Sequence, residues 1–409
     1  MASVLYLSYD GMTDPLGQSQ VLPYLKELTK KGHLIHLISF EKSEVFDKNK
    51  AAITDYCEKN SITWHPQPYT KKPPLLSTVK DIRKMRQLAF SLHAEHAFDI
   101  VHCRSYMSAL VGMNLKKKKG VAFLFDMRGF WADERIEGGI WSLSNPIFKL
   151  AYGYFKRKEL QFFSQADHIV SLTQKGKEEF TNWSALKHHS LSVSVIPCCV
   201  DLSLFDPANV NSHQLRNLKK ALNIQKDDFI LGYVGSIGTW YMLDEMLAYF
   251  AALKKVRPSA KFLFVTKEQP DNIIEKAQKY GVIKTDLLFA STKHAYVPLH
   301  IALFDFSIFF IRPSFSKKAS SPTKQGEIMA MGVPVICNAG VGDTDEIIHK
   351  YKAGVVLEST NPEDFILDIN KDNYDKTMLI EGAKDYFSLE KGADAYHKIY
   401  CDLLKSKTK

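Results

Sequence analysis

The residues richest in chemistry are Ser321-Pro322-Thr323-Lys324, followed by Glu327, Gly332 and the apolar run Val333-Pro334-Val335-Ile336. Ser321 is a good N-cap, because its hydroxyl accepts a hydrogen bond from a first-turn N–H group. Pro322 suits the first helical position, where a missing N–H is of no consequence. Thr323 and Lys324 then bring N–H groups, a hydroxyl and an ammonium to the positive end of the helix dipole. Such a helix start attracts an anion, phosphate above all. Glu327 follows about one turn later, on roughly the same face. A carboxylate repels phosphate but accepts hydrogen bonds from hydroxyls, such as those of a ribose joined to that phosphate. Gly332 stops the helix and a buried strand begins. The plain alternative is an ordinary capped helix in an α/β domain.

Other polar residues fall just after predicted strands. Gly17 and Gln18 lie in the polar loop Asp10 to Gln20, after the strand Val4 to Ser8. Gly235, Ser236 and Gly238 follow the strand Phe229 to Val234, and Arg312 follows Phe306 to Ile311. Asp126, Arg128 and Asp133 form a polar cluster after Val121 to Phe125. They are candidates for holding an acceptor or a sugar; an Arg128–Asp133 ion pair fixing the loop is the structural alternative. His102 reads as a strand-end histidine. Arg104, just beyond it, is expected to face a ligand cleft.

The elements that must position these residues alternate as in doubly wound parallel sheets. A helix carrying Leu22, Leu25 and Leu28 links the first two strands, Val4 to Ser8 and Leu34 to Ile38. Further strands are predicted at Asp99 to Cys103, Val121 to Phe125, His168 to Leu172 and Ser194 to Ile196. After a connection at Pro197 to Pro207 the alternation restarts and runs to Gly354–Leu357. At 409 residues, two domains are the natural expectation. The boundaries are 1–197, 198–387 and a helical end, 388–409, that packs back on the first domain. Ligands of open parallel sheets bind at the carboxyl ends of the strands, so the two domains are expected to face each other across a central cleft.

Bulk properties narrow the class. The six cysteines, at 57, 103, 198, 199, 337 and 401, form no C-x-x-C pair, so reduced thiols and a cytoplasmic location are expected. Neither a signal peptide nor a membrane-spanning helix is expected: the longest apolar run, Leu299 to Ile311, is interrupted by Asp305. The net charge of +9 fits nucleic acid, an anionic membrane face or phosphorylated substrates. No nucleic-acid motif accompanies it. Lys116 to Lys119 is read as a solvated loop. Phe148, Tyr152, Phe155 and Phe162 share one helical face amid Lys149, Lys156, Arg157 and Lys158. A core-facing stripe with a basic outer face is the plainer account, and contact with an anionic membrane surface the sharper one.

Four stretches carry a family resemblance across nearly the whole chain. They are Gly17-Gln18-Ser19-Gln20, the connection Ile196-Pro197-Cys198-Cys199-Val200-Asp201 to Phe205, Val234-Gly235-Ser236, and Gly326-Glu327-Ile328-Met329-Ala330-Met331-Gly332-Val333-Pro334-Val335-Ile336. Together they resemble the retaining GT-B glycosyltransferases, specifically family 4 (group 1). The last stretch is the specific match. The resemblance implies two Rossmann-like domains, a UDP- or GDP-sugar donor on the second, a glycan or polyprenol-linked acceptor on the first, and no metal or other cofactor. Glu327 matches the second acid of that family's E-x7-E pair, which holds the ribose. The first acid falls at Ala319, which has no carboxylate. The arginine and lysine usual after the glycine loop fall at Ser236 and Tyr241, so Lys324 and then Arg312 are the substitutes for neutralising a diphosphate. The usual first-domain histidine falls at Phe125 or Asp126. A role in cell-surface polysaccharide assembly, peripheral on the inner membrane face, is expected on this resemblance. The alternatives are a nucleotide-sugar-binding protein without transferase activity and a nucleotide-sugar epimerase.

Overall fold

The computed structural model describes residues 1–73 and 75–407. The chain divides into two compact units. One is Met1–Pro197 together with the chain from Leu389 onward; the other is Cys198–Ser388.

The first unit is built on seven parallel strands: β1 Ser3–Ser8, β2 Leu34–Glu41, β3 Ile62–Pro68, β4 Ile100–Arg104, β5 Ala122–Asp126, β6 His168–Ser171 and β7 Val193–Val195. Their order is β3-β2-β1-β4-β5-β6-β7. β4 and β5 are buried at every residue, as befits strands covered by helices on both faces. The strand order reverses between β1 and β4, which pair in register from Val4↔Ile100 to Ser8↔Arg104. The loops leaving these two strands therefore part at their carboxyl ends, where such sheets place ligands. β3 was not expected. Its sequence, Ile-Thr-Trp-His-Pro-Gln-Pro, holds two prolines, which are tolerated because it is an edge strand.

The second unit has six parallel strands: β8 Phe229–Val234, β9 Ala260–Val265, β10 Leu287–Ala290, β11 Phe306–Phe309, β12 Val335–Asn338 and β13 Gly354–Leu357. Their order is β10-β9-β8-β11-β12-β13, with the reversal between β8 and β11. Phe250, Phe262, Phe264, Phe306 and Phe310 fill its core. Both units are thus Rossmann-like.

Two expectations change at this level, and the plainer account of the aromatic stripe holds. Gly17 and Gln18 lie on a helix, Pro15–Gln20, rather than in a loop; Pro15 opens that helix. Lys116 to Lys119 are the last turn of the helix Ser105–Lys119, where cations favour the negative end of the dipole. The aromatic stripe on the helix Pro146–Gln165 faces the core: Phe155 and Phe162 are buried, and Phe155 packs on Trp131 at 4.8 Å. The final helix, Leu389–Lys407, belongs to the first unit. Its Tyr396 meets Tyr24 of the helix Leu22–Lys30 edge to face at 5.7 Å.

Candidate functional site

In the second unit the helix Thr323–Ala330 begins one residue later than expected. Pro322 has extended backbone, with ψ of 113°, and is itself the N-cap. Ser321 does not cap the helix. Its hydroxyl accepts from the backbone N–H of Cys198 at 3.2 Å, anchoring the incoming connection. Gly326 lets the helix approach that connection closely, since a Cβ there would lie 2.8 Å from Val200 and 2.7 Å from Phe387.

Lys324 is the central group. It is 8% exposed, and its ammonium has no hydrogen-bond partner. Two rings hold it instead: Nζ lies 4.1 Å from the centre of Tyr233 and 3.7 Å from that of Tyr241. Each such contact stabilises a cation by about 0.5–2 kcal/mol. Burial nonetheless outweighs the nearby Glu327 and holds the ammonium well below the usual lysine range. The ammonium sits against Gly235, where a Cβ would lie 3.3 Å from Nζ. Gly235 has φ of +109°, which favours glycine, and its missing side chain leaves room beside the charge. A buried cation without a hydrogen-bond acceptor, at a helix start and beside a glycine loop, is an anion site in waiting.

The neighbouring residues complete this end of the sheet. Glu327 is also mostly buried; its Oε1 lies 2.9 Å from Nε2 of His294. That hydrogen bond raises the His294 pKa, against a smaller opposing effect of burial. Ser236 is exposed, and its carbonyl accepts from the Tyr233 hydroxyl at 2.6 Å, fixing the ring beside Lys324. Gly238, with φ of +50°, turns the loop and is also exposed. Thr323 opens the helix and is half-buried. Arg312 is exposed and stacks over Trp240 at 4.9 Å. Lys317 shares the same ring from 3.7 Å and is buried. Ala319, at the position of the missing acid, is fully buried.

His294, Lys317 and the caging tyrosines were not among the predicted site residues. His294 opens the short turn His294–Tyr296. Its partnership with Glu327 spans 33 residues, and no local spacing reveals it. Tyr241 was noted only as a missing lysine; its ring holds Lys324.

In the first unit Asp126 gathers a second polar cluster. Its Oδ2 accepts from the Tyr396 hydroxyl at 3.2 Å, and Arg128 Nη1 lies 3.8 Å away. His102 is buried, with Nε2 at 3.7 Å from the same oxygen and Nδ1 at 2.7 Å from the Tyr400 hydroxyl. Burial opposes ionisation of Asp126, but Arg128, His102 and Arg104 together outweigh it and lower its pKa. Arg128 has φ of +59°, a strained backbone for a non-glycine residue. Arg104 is 3% exposed; its Nε reaches Asp10 Oδ2 at 3.3 Å, and its buried Nη1 has no hydrogen-bond partner.

Asp133 stands apart from this cluster. Its two carboxylate oxygens take the Tyr152 hydroxyl and the Lys156 ammonium, each at 2.8 Å. The Arg128–Asp133 pair does not form; Arg128 turns to Asp126 instead. Gly17 is buried and serves packing: a Cβ there would lie 2.6 Å from the Met12 Cα and collide with the Gly11 carbonyl. Gln18 is exposed and donates to the Thr13 carbonyl at 2.9 Å. Glu41, at the end of β2, was missed; it accepts from the Met12 and Thr13 N–H groups at 2.8 and 3.0 Å and so fixes the loop after β1.

The two Rossmann-like units, with an anion-poised helix start in the second, are those of a GT-B transferase. Two family profiles match in succession. "Glycosyltransferase Family 4" matches residues 18–204, and "Glycosyl transferases group 1" matches residues 215–379. The chain belongs to this family of GT-B glycosyltransferases. A glycosyltransferase from Rickettsia africae ESF-5 is similar over 99% of each chain, with a TM-score of 0.72 at 16% identity. WaaG, a glycosyltransferase involved in lipopolysaccharide biosynthesis, is similar over 97% of this chain and 99% of its own, with a TM-score of 0.65 at 16% identity. A structure described as trehalose-6-phosphate from E. coli bound with UDP-2-fluoro glucose gives a TM-score of 0.68 at 11% identity, over 98% of this chain and 99% of that one. No curated protein sequence matches the chain.

Proposed function

We propose that this glycosyltransferase moves a sugar from a UDP- or GDP-sugar to a glycan or lipid-linked acceptor, with retention and without a metal ion. The observation that carries this reading is the buried Lys324 ammonium, which has no hydrogen-bond partner and sits beside Gly235 at a helix start. A diphosphate would supply the acceptor oxygens that the ammonium lacks. Glu327, one turn on, would accept from the ribose hydroxyls. The similar structure holding UDP-2-fluoro glucose favours a UDP-sugar. The likeness to a glycosyltransferase of lipopolysaccharide biosynthesis favours a role at the cell surface.

In the proposed reaction the acceptor hydroxyl attacks the anomeric carbon from the face that the diphosphate leaves. The bond from carbon to the diphosphate oxygen breaks as the new glycosidic bond forms. The hydroxyl proton passes to the departing phosphate oxygen. Negative charge grows on the diphosphate, and a fixed cation there is worth most in that state. Lys324 supplies this charge in place of the cations absent at Ser236 and Tyr241. The Asp126–Arg128 cluster of the first unit is proposed to hold the acceptor. A second reading, a nucleotide-sugar binder without transfer, draws on the buried Ala319 in place of the first acid.

The test is incubation with UDP- and GDP-sugars and a membrane-derived acceptor pool, followed by NMR of the product's anomeric centre. The donor's configuration in the product supports the reading. An inverted product rejects the mechanism; diphosphate binding with no transfer to any acceptor selects the second reading.

A further inference from the structure

The chain's formal charge is +9, and that whole excess resides on three helices of the first unit. Leu76–His96, Ser105–Lys119 and Pro146–Gln165 hold twelve Lys and Arg against three Asp and Glu. The rest of the chain is balanced. Two of those three acids, Asp81 and Glu159, are fully buried. Asp81 accepts from Tyr9 and Thr70, and Glu159 from Tyr106 and Lys156. Glu95 is the one remaining acid on these three helices; from outside them Asp167 pairs with Lys116 and Asp133 with Lys156, leaving the other cations with few acids.

The same helices expose apolar side chains. Leu150 is 73% exposed, Leu76 69% and Ile147 60%. Of the sixteen exposed large hydrophobics among the described residues, seven lie between 76 and 79 or between 140 and 154. Val79, Leu150 and Tyr154 open onto a groove of about 820 Å³, and Arg83, Arg86 and Lys117 line the same groove. Ile147, Leu150 and Tyr154 recur at helical spacing, so they form one outward stripe. This stripe differs from the aromatic one that faces the core.

Exposed aliphatic residues flanked by cations, with a large excess of basic over acidic side chains, match an interfacial face. A nucleic-acid face has no use for bare leucine and isoleucine, because its contacts are to phosphates and base edges. We infer that this three-helix face docks on an anionic phospholipid bilayer. The cations meet lipid phosphates, their aliphatic stems lying along the apolar surface. Leu76, Ile147 and Leu150 enter the boundary between headgroups and acyl chains. The inference is independent of the donor assignment, which concerns the other unit.

The test is co-sedimentation of the full chain with vesicles of equal parts phosphatidylglycerol and phosphatidylcholine, and with vesicles of phosphatidylcholine alone. Binding to the anionic vesicles that weakens with salt, and is much weaker on the neutral ones, is expected. Arg86→Gln and Lys117→Gln should each lower anionic-vesicle affinity roughly fivefold. Leu150→Ser should lower it while leaving the melting temperature and nucleotide binding unchanged. Absence of vesicle binding at low salt overturns the inference. So does equal binding to both vesicle types, or indifference to Arg86→Gln and Leu150→Ser together. Salt-sensitive binding of duplex DNA without vesicle binding, or self-association abolished by Leu150→Ser without vesicle binding, also overturns it.

Discussion

At the scale of single residues, Lys324 and the His294–Glu327 pair titrate in opposite senses. Burial depresses the Lys324 pKa, so the folded protein binds fewer protons there than the unfolded chain. Stability from this site therefore rises with pH between the depressed value and the ordinary one near 10.4. On the proposed reading, a bound diphosphate would restore the charge. Nucleoside diphosphate binding should thus take up a proton in that window, seen as a calorimetric enthalpy that changes with buffer ionisation enthalpy. No such dependence would show that the ammonium is already charged and satisfied. His294 behaves inversely, since its hydrogen bond to Glu327 raises its pKa. That contribution is fully present below the ordinary value near 6.5 and lost as pH rises through the raised one. The His294 side chain is 49% exposed, so the pair is worth less than about 1 kcal/mol. His294→Ala should lower the melting temperature slightly at about pH 6 and not at about pH 9; an equal loss at both would assign His294 a packing role. Of these groups, Lys324 and Glu327 were legible in the sequence because both lie on one short helix. His294 and Tyr241 were not, because they come from other loops.

At the scale of elements, two glycine positions read as ligand loops have different jobs. Gly235 makes room beside a charge. Gly17 makes room for backbone, with a Cβ clashing against Gly11 and Met12. Gly17→Ala should therefore destabilise the first unit by about 1–3 kcal/mol without changing nucleotide affinity. Denaturant unfolding beside a nucleotide titration measures both; weakened nucleotide binding with unchanged stability would restore a ligand role. Twelve of the strands followed from apolar runs bounded by turns, and their ends fell within a few residues of the predicted ones. β3 escaped because Trp64, His65 and its prolines break the apolar pattern. The helix Pro15–Gln20 escaped because its short polar sequence looks like a loop.

For the whole molecule, the last helix belongs to a unit that begins at Met1. Tyr396, Ile399, Tyr400 and Leu403 are buried by it, and its tyrosines reach Asp126 and His102. Ending the chain at Ser388 should raise hydrogen exchange in β1, β4 and β5 and spare β8 and β11. Unchanged exchange in β4 and β5 would mean that the helix is dispensable to that core. The sequence showed this segment to be helical, but not which side chains it places against Asp126, because contacts some 270 residues apart leave no local trace.

The decisive measurement is calorimetric titration of UDP and GDP, with uridine and guanosine as controls, into the native protein and Lys324→Met. The native protein should bind at least one of the diphosphates. Lys324→Met should lose roughly tenfold or more of that affinity, as removal of a charge-assisted hydrogen bond costs about 1.5–3 kcal/mol, yet fold as well or better. Diphosphate affinity unchanged by the substitution, in a folded variant, would contradict the assignment of this helix start to the donor.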